Sequence, residues 1–399
     1  MMEFMGYARN DGSVGIRNHV VVIPASSCAN ELAATIAADV KGAIALPHDF
    51  YCIRVGADVD RAVKTLVGLG ANPNVCAVLV VGIGCDKRTA EDLAEDISKY
   101  KKPVEAVSIN AQGTFDKVVE KGQAFIRSMV REAGKMRREP CDVGKLTLGV
   151  KCGGSHATSV LAGNPATGKA CDILIAHGGT VIFSETAELL GAANVLAKRA
   201  VNQDVGKKLV DVVSSMEAEI KRAGVDIRGS EPTPANIRGG LTTIEEKSLG
   251  AIAKTGTTPL MGVLDYAEKP KDKGLYFMDG SALTVQLFLG MAAAGAQIQV
   301  FIYGGDLPAR FRALLACASG LRTLPTLKIL SSPEEIREKE YFDVYAGDIV
   351  EGGESIDEVG ERLFDEIIEV ASGKMTITET RSGYSEPLAL YATGGGLLM

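Results

Sequence analysis

The chain reads as an α/β protein made of two Rossmann-like parallel-sheet domains with an inserted helical, Gly-rich segment. Three observations predict this. Short β-branched runs alternate with amphipathic helical stretches, the pattern of consecutive βα units. The 399 residues, 46% of them hydrophobic, are more than one ordinary core needs. A helical and then polar stretch at about 192–251 interrupts the strand rhythm of the second half.

In order, HVVVIPA precedes ANELAATIAADV, GAIALPH precedes DRAVKTLVGLG, VCAVLVVGIG precedes RTAEDLAEDISKY, and PVEAVSI precedes GTFDKVVEKGQAFIRSMV. Four βα units within 1–140 predict one parallel sheet. The polar stretch REAGKMRREPCDVGK reads as a linker. A second domain, 141–399, is predicted from KLTLGVKC, GTVIFSE, PLMGVLDYA, GLYFMD, AQIQVFIYGG and TLPTLKIL as strands among helices. Within its insertion, EIKRAGVDIRGSEPTPANIRGG reads as a lid. The stretch EGGESIDEVGERLFDEIIEVASG predicts an amphipathic helix capped near Gly373.

A net charge of -7, a pI near 5.4 and the lack of a long Lys/Arg run exclude a nucleic-acid groove. No apolar run reaches about 18 residues, which excludes a spanning helix. The start MMEFMGYARNDG has neither the basic nor the apolar region of a signal peptide, so a cytoplasmic protein is expected. Eight cysteines in a reducing compartment are then core residues, metal ligands or catalytic groups.

The segment LTLGVKCGGSHATSVLAGNPATG carries the strongest local signal. A strand brings Lys151 and Cys152 to its carboxyl end, and Gly153, Gly154 and Ser155 let backbone N–H groups approach a ligand. Asn164-Pro165 is expected to start a helix whose positive end faces the same space. A small carboxylate fits there. His156, directly after this loop, is the imidazole expected for acid–base work. In NIRGGLTTIEEKSLG, Thr242 or Thr243 with Glu245 or Glu246 reads as a capping box behind Gly239 and Gly240. This is a second helix start expected to accept an anion, with Lys247 one turn in. Arg17 and Asn18 are further carboxylate-binding candidates, and Glu185, closing GGTVIFSE, is a candidate base or metal ligand. His177 is expected to pack at a helix C-terminus, and Cys76, Cys171 and Cys317 are expected in the core.

Cys28, His48, Cys52 and Cys85 all follow predicted carboxyl ends of strands, where ligands of open α/β sheets gather. An imidazole with three thiols can hold Fe(II) or Zn(II), and the thiolates of Cys28, Cys52 and Cys85 can hold an iron–sulfur cluster with an open iron.

Taken together, GYARNDGSVGIRN, HDFYC, ANPNVCAVLVVGIGCD, KCGGSHATSVLAGNPATG, GGTVIFSETAE and GGLTTIEEKSLG resemble, in order, the motifs of the altronate/galactarate dehydratase family. That family includes the large subunit of sulfolactate sulfo-lyase. The resemblance covers nearly the whole chain. It implies a metal-dependent lyase, commonly iron(II)-requiring, that removes water or sulfite from a 2-hydroxy acid to give a 2-keto acid. It also implies a small SAF domain. The sequence opens directly on the large-subunit motif, so a separate small SAF-domain subunit is expected, within a homo-oligomeric assembly. Under this reading Lys247 or Glu246 is the base and His156 the acid, with His48, Cys52, Cys85 and Cys152 around the metal.

Three departures from the family pattern stand out. The family's KCGGSD becomes Ser155-His156 at its end, H-x-x-G-C becomes His48-Asp49-Phe50-Tyr51-Cys52, and the T-T-G-R-G turn becomes Ile302-Tyr303-Gly304-Gly305-Asp306. They predict the same reaction class with a different substrate. Two other readings compete: a non-catalytic α/β protein that closes around a small molecule, and a large subunit inactive without its small partner.

Overall fold

The computed structural model describes residues 2–85, 88–305, 320–381 and 388–393. The chain opens with β1 (Glu3–Ala8) and β2 (Val14–Gly15). It then lays down β3 (His19–Pro24), β4 (Ala43–Ala45), β5 (Val75–Gly82) and β6 (Val104–Ser108) as a parallel sheet of order β4-β3-β5-β6. Successive side chains of a strand leave opposite faces. Val20, Val22, Leu79 and Val81 accordingly pack with the helices Asn30–Ala38 and Phe115–Lys135, while Val21, Ile23, Val78 and Val80 pack with Ala57–Ala71 and Ala90–Ser98. Burial on both faces explains why these strands read as unbroken apolar runs.

The stretch expected to be a linker is structured. The helix Phe115–Lys135 absorbs its first residues, and β7 (Glu139–Asp142) pairs antiparallel with β1, Phe4 opposite Cys141. The three-stranded unit β2-β1-β7 buries only one face, so β7 contributes a single buried side chain, Cys141. A strand this short and polar leaves no periodic signal.

The second sheet contains β8 (Thr147–Gly153), β9 (Thr180–Ser184), β10 (Leu260–Leu264), β11 (Gly274–Met278), β12 (Ile298–Tyr303), β13 (Thr326–Leu330) and β14 (Val344–Tyr345). All are parallel, in the order β10-β11-β9-β8-β12-β13-β14. Val150, Phe183, Phe277 and Ile302 face the helices Asn164–Ala176 and Ile356–Ala371. On the other face Ile182, Met278, Phe301 and Tyr303 meet the helix Thr284–Ala293 and join the core beneath the first sheet. At Gly68 a Cβ would lie 2.5 Å from the Ala293 carbonyl oxygen, so the helices Ala57–Ala71 and Thr284–Ala293 touch backbone to backbone. One apolar layer is therefore shared by both sheets. The tail helix is capped as expected, with Gly373 at φ +121. Among the described residues no helix is long and apolar enough to cross a membrane.

Arg17 and Asn18 are fasteners in this frame. A guanidinium has five N–H groups, and all five of Arg17 are occupied: Glu379 takes two at 2.7 Å each, and the carbonyls of Ile16, Val370 and Lys374 take the rest. Asn18 accepts from Arg9 at 2.8 Å and donates to the Ala133 carbonyl at 2.9 Å. Neither is left to bind a carboxylate ligand.

Candidate active site

Lys151 and Cys152 are consecutive on β8 and leave the sheet on opposite faces. Lys151 pairs with Glu185, and its Nζ donates to the Cys152 carbonyl at 2.5 Å. Across the strand the Cys152 thiol donates to Glu188 Oε1 at 2.8 Å. Lys254 pairs with the other oxygen of Glu188 and holds its Nζ 3.5 Å from the Cys152 sulfur. Lys151, Cys152, Glu188 and Lys254 are buried. The Glu185 side chain keeps 13% of its surface exposed, so it is the member of the cluster that solvent or a ligand reaches.

The environment drives the two carboxylates apart. Burial pushes Glu185 above the ordinary carboxylate range against the pull of Lys151, and the neighbouring Glu188 adds repulsion. Burial acts on Glu188 as well, but Lys254 and Lys151, helped by the Cys152 hydrogen bond, hold it below that range. Such divergence separates a proton acceptor from a fixed charge. Burial, reinforced by Glu188, pushes the Cys152 thiol up to about 12, so it is a hydrogen-bond donor. A metal ligand would need to be a thiolate.

Glu185 also stands on unusual backbone. Its φ of +94 belongs to the left-handed region, a conformation that costs a non-glycine residue about 1–3 kcal/mol. The following residue fixes it: Thr186 N–H donates to the Gly280 carbonyl at 3.2 Å, its hydroxyl donates to Asp279 at 2.5 Å, and Gly280 N–H donates to that hydroxyl at 3.0 Å. The turn thus holds the carboxylate at the end of β9 beside Lys151.

The loop after β8 departs from expectation at its helix. The helix begins at Ala157, passes through a π-turn at Ser159–Gly163 and continues as Asn164–Ala176. Pro165 has no N–H and its ring crowds the carbonyl four residues back, and a widened turn accommodates both. The first donors of this helix are taken: Ala157 N–H by the Gly239 carbonyl at 2.8 Å, Thr158 N–H by His156 Nδ1 at 3.2 Å, and Ser159 N–H by the His156 carbonyl at 3.0 Å. Asn164 is buried and donates to the Gly250 carbonyl at 2.9 Å.

Three loops converge on His156. A Cβ on Gly239 would lie 2.5 Å from the His156 ring, and one on Gly304 would lie 2.8 Å from His156 Cβ. Asn236 donates to the Ser155 carbonyl at 2.9 Å, and the Thr158 hydroxyl donates to the Gly304 carbonyl at 2.8 Å. Gly153 and Gly154, the latter at φ +59, pass against Phe301 and Tyr303 of β12. From β8 the chain moves to β9 on one side and later returns to β12 on the other. Ligands of parallel sheets bind at such a reversal, at the carboxyl ends of the strands. Of the family's altered turn, Asp306 lies outside the described residues, as does Cys317.

The Gly239-Gly240 turn closes one helix and opens no anion site. Gly239 and Gly240 donate to the carbonyls of Ala235 and Ile237, both at 3.0 Å, with Gly240 at φ +91. The next helix, Ile244–Ile252, is capped internally. Glu246 accepts from Thr242 N–H at 2.7 Å and from its hydroxyl at 2.6 Å, and Thr243 accepts from Glu246 N–H at 3.1 Å. The hydrogen bonds from Thr242 hold exposed Glu246 below the ordinary carboxylate range, and Lys247 is paired with Glu231 at 2.5 Å. Glu246 and Lys247 are therefore structural here, as are Thr242 and Thr243.

The residues expected to hold a metal are not brought together. His48 is buried: Nδ1 accepts from Phe50 N–H at 3.2 Å, which makes Nε2 the donor to the Pro24 carbonyl at 2.8 Å. Cys28 and Cys85 are exposed, Cys52 is half-buried, and Cys152 belongs to the other sheet with its proton retained. Among the described residues no three His, Cys, Asp or Glu side chains are grouped to hold a metal ion. Of the remaining predictions, Cys171 is buried and His177 caps its helix, accepted by the Ile173 carbonyl at 2.9 Å and stacked on Phe364. Cys76 is half-buried.

His19 and His48 make acid stability measurable. Burial, aided for His19 by Arg17, pushes both down to about 4. The unfolded chain takes up these protons near pH 6.5 and the folded chain does not, so the stabilisation is complete above pH 6.5 and is lost as pH falls towards 4. Denaturant unfolding at pH 5 should show about 2 kcal/mol less stability per histidine than at pH 7, and replacing His48 by Gln should remove its share of that slope.

Glu188 and Lys254 were missed by sequence reasoning. Lys254 stands in the otherwise uncharged run LGAIAKTG, and a lone ammonium in such a run requires a buried carboxylate; Glu188, one helical turn beyond Glu185, supplies it.

With this geometry in hand, comparison with known proteins is direct. The family described as D-galactarate/Altronate dehydratase, C-terminal, matches residues 143–393, and the one described as D-galactarate dehydratase/Altronate hydrolase, second domain, matches residues 6–134. The chain is 37% identical to the (2R)-sulfolactate sulfo-lyase subunit beta of Chromohalobacter salexigens, over 94% of each chain. It is 30% identical to the altronate dehydratase of Bacillus subtilis, over 98% of this chain and 78% of that one. It is 33% identical to the galactarate dehydratase (L-threo-forming) of Escherichia coli, over 82% of this chain and 62% of that one. The chain belongs to the D-galactarate/altronate dehydratase family.

Proposed function

We propose that this protein is a lyase that eliminates water or sulfite from a 2-hydroxy acid to give a 2-keto acid. The observation that carries the reading is the buried cluster at the carboxyl ends of β8 and β9, where Lys151 pairs with the partly exposed Glu185 and Lys254 pairs with Glu188 beside the Cys152 thiol, in a chain whose relatives are named dehydratases and a sulfo-lyase. The proposal takes 1–140 and 141–399 as two Rossmann-like domains, with the two family matches at 6–134 and 143–393 as its support.

In this reading Glu185 removes the proton on the carbon that bears the substrate hydroxyl, next to the carboxylate. The electron pair forms a double bond to the neighbouring carbon, which expels its hydroxyl or sulfonate. His156 supplies the proton with which hydroxide leaves as water, while sulfite leaves as the anion. The resulting enol becomes the 2-keto acid. Lys151 opposes the charge that grows on the substrate carboxylate, and Lys254 and Glu188 keep the strand end charged and fixed behind it. His48, Cys52, Cys85 and Cys152 are not gathered around one point and do not form a metal site, and the steps above use the chain's own side chains. The name of the sulfo-lyase relative, subunit beta, supports a small separate partner for this chain as well.

Incubation with (2R)-sulfolactate, altronate and galactarate in turn, with trapping of the keto acid, should give product from at least one. Silence on all three, with Fe(II) and a candidate small subunit present, would return the chain to the binding-protein reading.

A further inference from the structure

At the other end of β8 and β9 the protein has a cavity of about 450 Å³, between the turn that joins β1 to β2 and the amino edge of the second sheet. Lys145, Lys269, Lys271 and Lys273 line it, against the two carboxylates of Asp11 and Asp272. The chain as a whole carries a charge of -7, so this is a local reversal of sign. Among the described residues none of the four lysines forms an ion pair. Lys145 donates to the Gly12 carbonyl at 3.3 Å, and Lys269 lies 3.9 Å from the centre of the Tyr100 ring.

The surroundings sharpen the excess. Lys102 is half-buried nearby, donating to the carbonyls of Asn72 and Val75 at 2.8 and 2.9 Å, where desolvation, then Arg9 and Lys269, push it down to about 7. Burial presses on Lys273 too, with Lys145 adding repulsion. A multivalent anion in the cavity relieves the repulsion among the four lysines that line it.

We propose that this cavity binds the phosphate group of a small molecule. Lysine ammonium groups are compact point charges suited to a compact oxyanion, and no arginine fork of the kind that grips planar carboxylates lines the cavity among the described residues. Its volume falls within the roughly 300–1,000 Å³ of small-molecule sites and leaves room for an organic remainder. The length of β8 sets it about 20 Å from Glu185, so occupancy does not compete with the elimination substrate. It ties the β1–β2 turn to the second sheet instead.

Isothermal titration at low ionic strength with inorganic phosphate and, separately, with glycerol 3-phosphate should each show one saturable site. Tighter binding of the ester identifies a phosphorylated metabolite, and equal affinities identify free phosphate. The pair of substitutions Lys269→Gln and Lys273→Gln should weaken binding at least ~10-fold with an unchanged melting curve, and Lys41→Gln, on an exposed turn, should leave it alone. Charge reversal in Lys273→Glu should weaken it further. Absence of saturable binding, wild-type affinity in the double variant, or citrate binding as tightly as the ester would overturn the assignment.

Discussion

Replacing Glu185 by Gln should lower kcat by roughly 10²–10⁴-fold, the usual worth of a positioned general base. The amide keeps the size of the side chain and its hydrogen bond to Lys151 but cannot take a proton, so KM should move little. Circular dichroism should show the secondary structure unchanged. The pH profile supplies a second reading. Because burial raises Glu185 above the ordinary carboxylate range, kcat/KM of the natural protein should fall as pH drops through that raised value, higher than an exposed glutamate would place it. The residual activity of the variant should lack that limb. A variant that turns over at the natural rate removes Glu185 from the chemistry.

The second large effect concerns stability. Lys254→Met leaves Glu188 buried with its closest cation gone, and an uncompensated buried charge costs about 3–5 kcal/mol. Denaturant midpoints should fall accordingly. Adding Glu188→Gln removes the orphaned charge, and the double variant should recover much of the loss, since a buried ion pair exchanged as a unit is often nearly neutral. If Lys254→Met alone unfolds at the natural midpoint, Glu188 is not held by Lys254 in solution.

The strands buried on both faces were legible because their apolar runs have no other physical explanation; each βα unit from His19 to Lys135 lies where the pattern puts it. β7 and β14 were not, being too short or too one-sided to write a period. The positions of Lys151, Cys152 and Glu185 at strand ends are legible in the sequence; their ion pair and hydrogen bonds are not. The capping residues Thr242, Thr243 and Glu246 were read as ligand-facing because a capping box and an anion-binding helix start share one vocabulary of Thr, Glu and Gly. Only the hydrogen bonds distinguish them. His48 misled for a related reason: composition shows an imidazole near three thiols, and only coordinates show both its nitrogens already engaged with backbone.

The pairing of Glu3 with Asp142 has a consequence for biosynthesis. β1 leaves the ribosome before β7 and stays without that antiparallel neighbour until the whole first sheet has been translated. β1 must therefore wait for this neighbour until the second sheet starts to emerge.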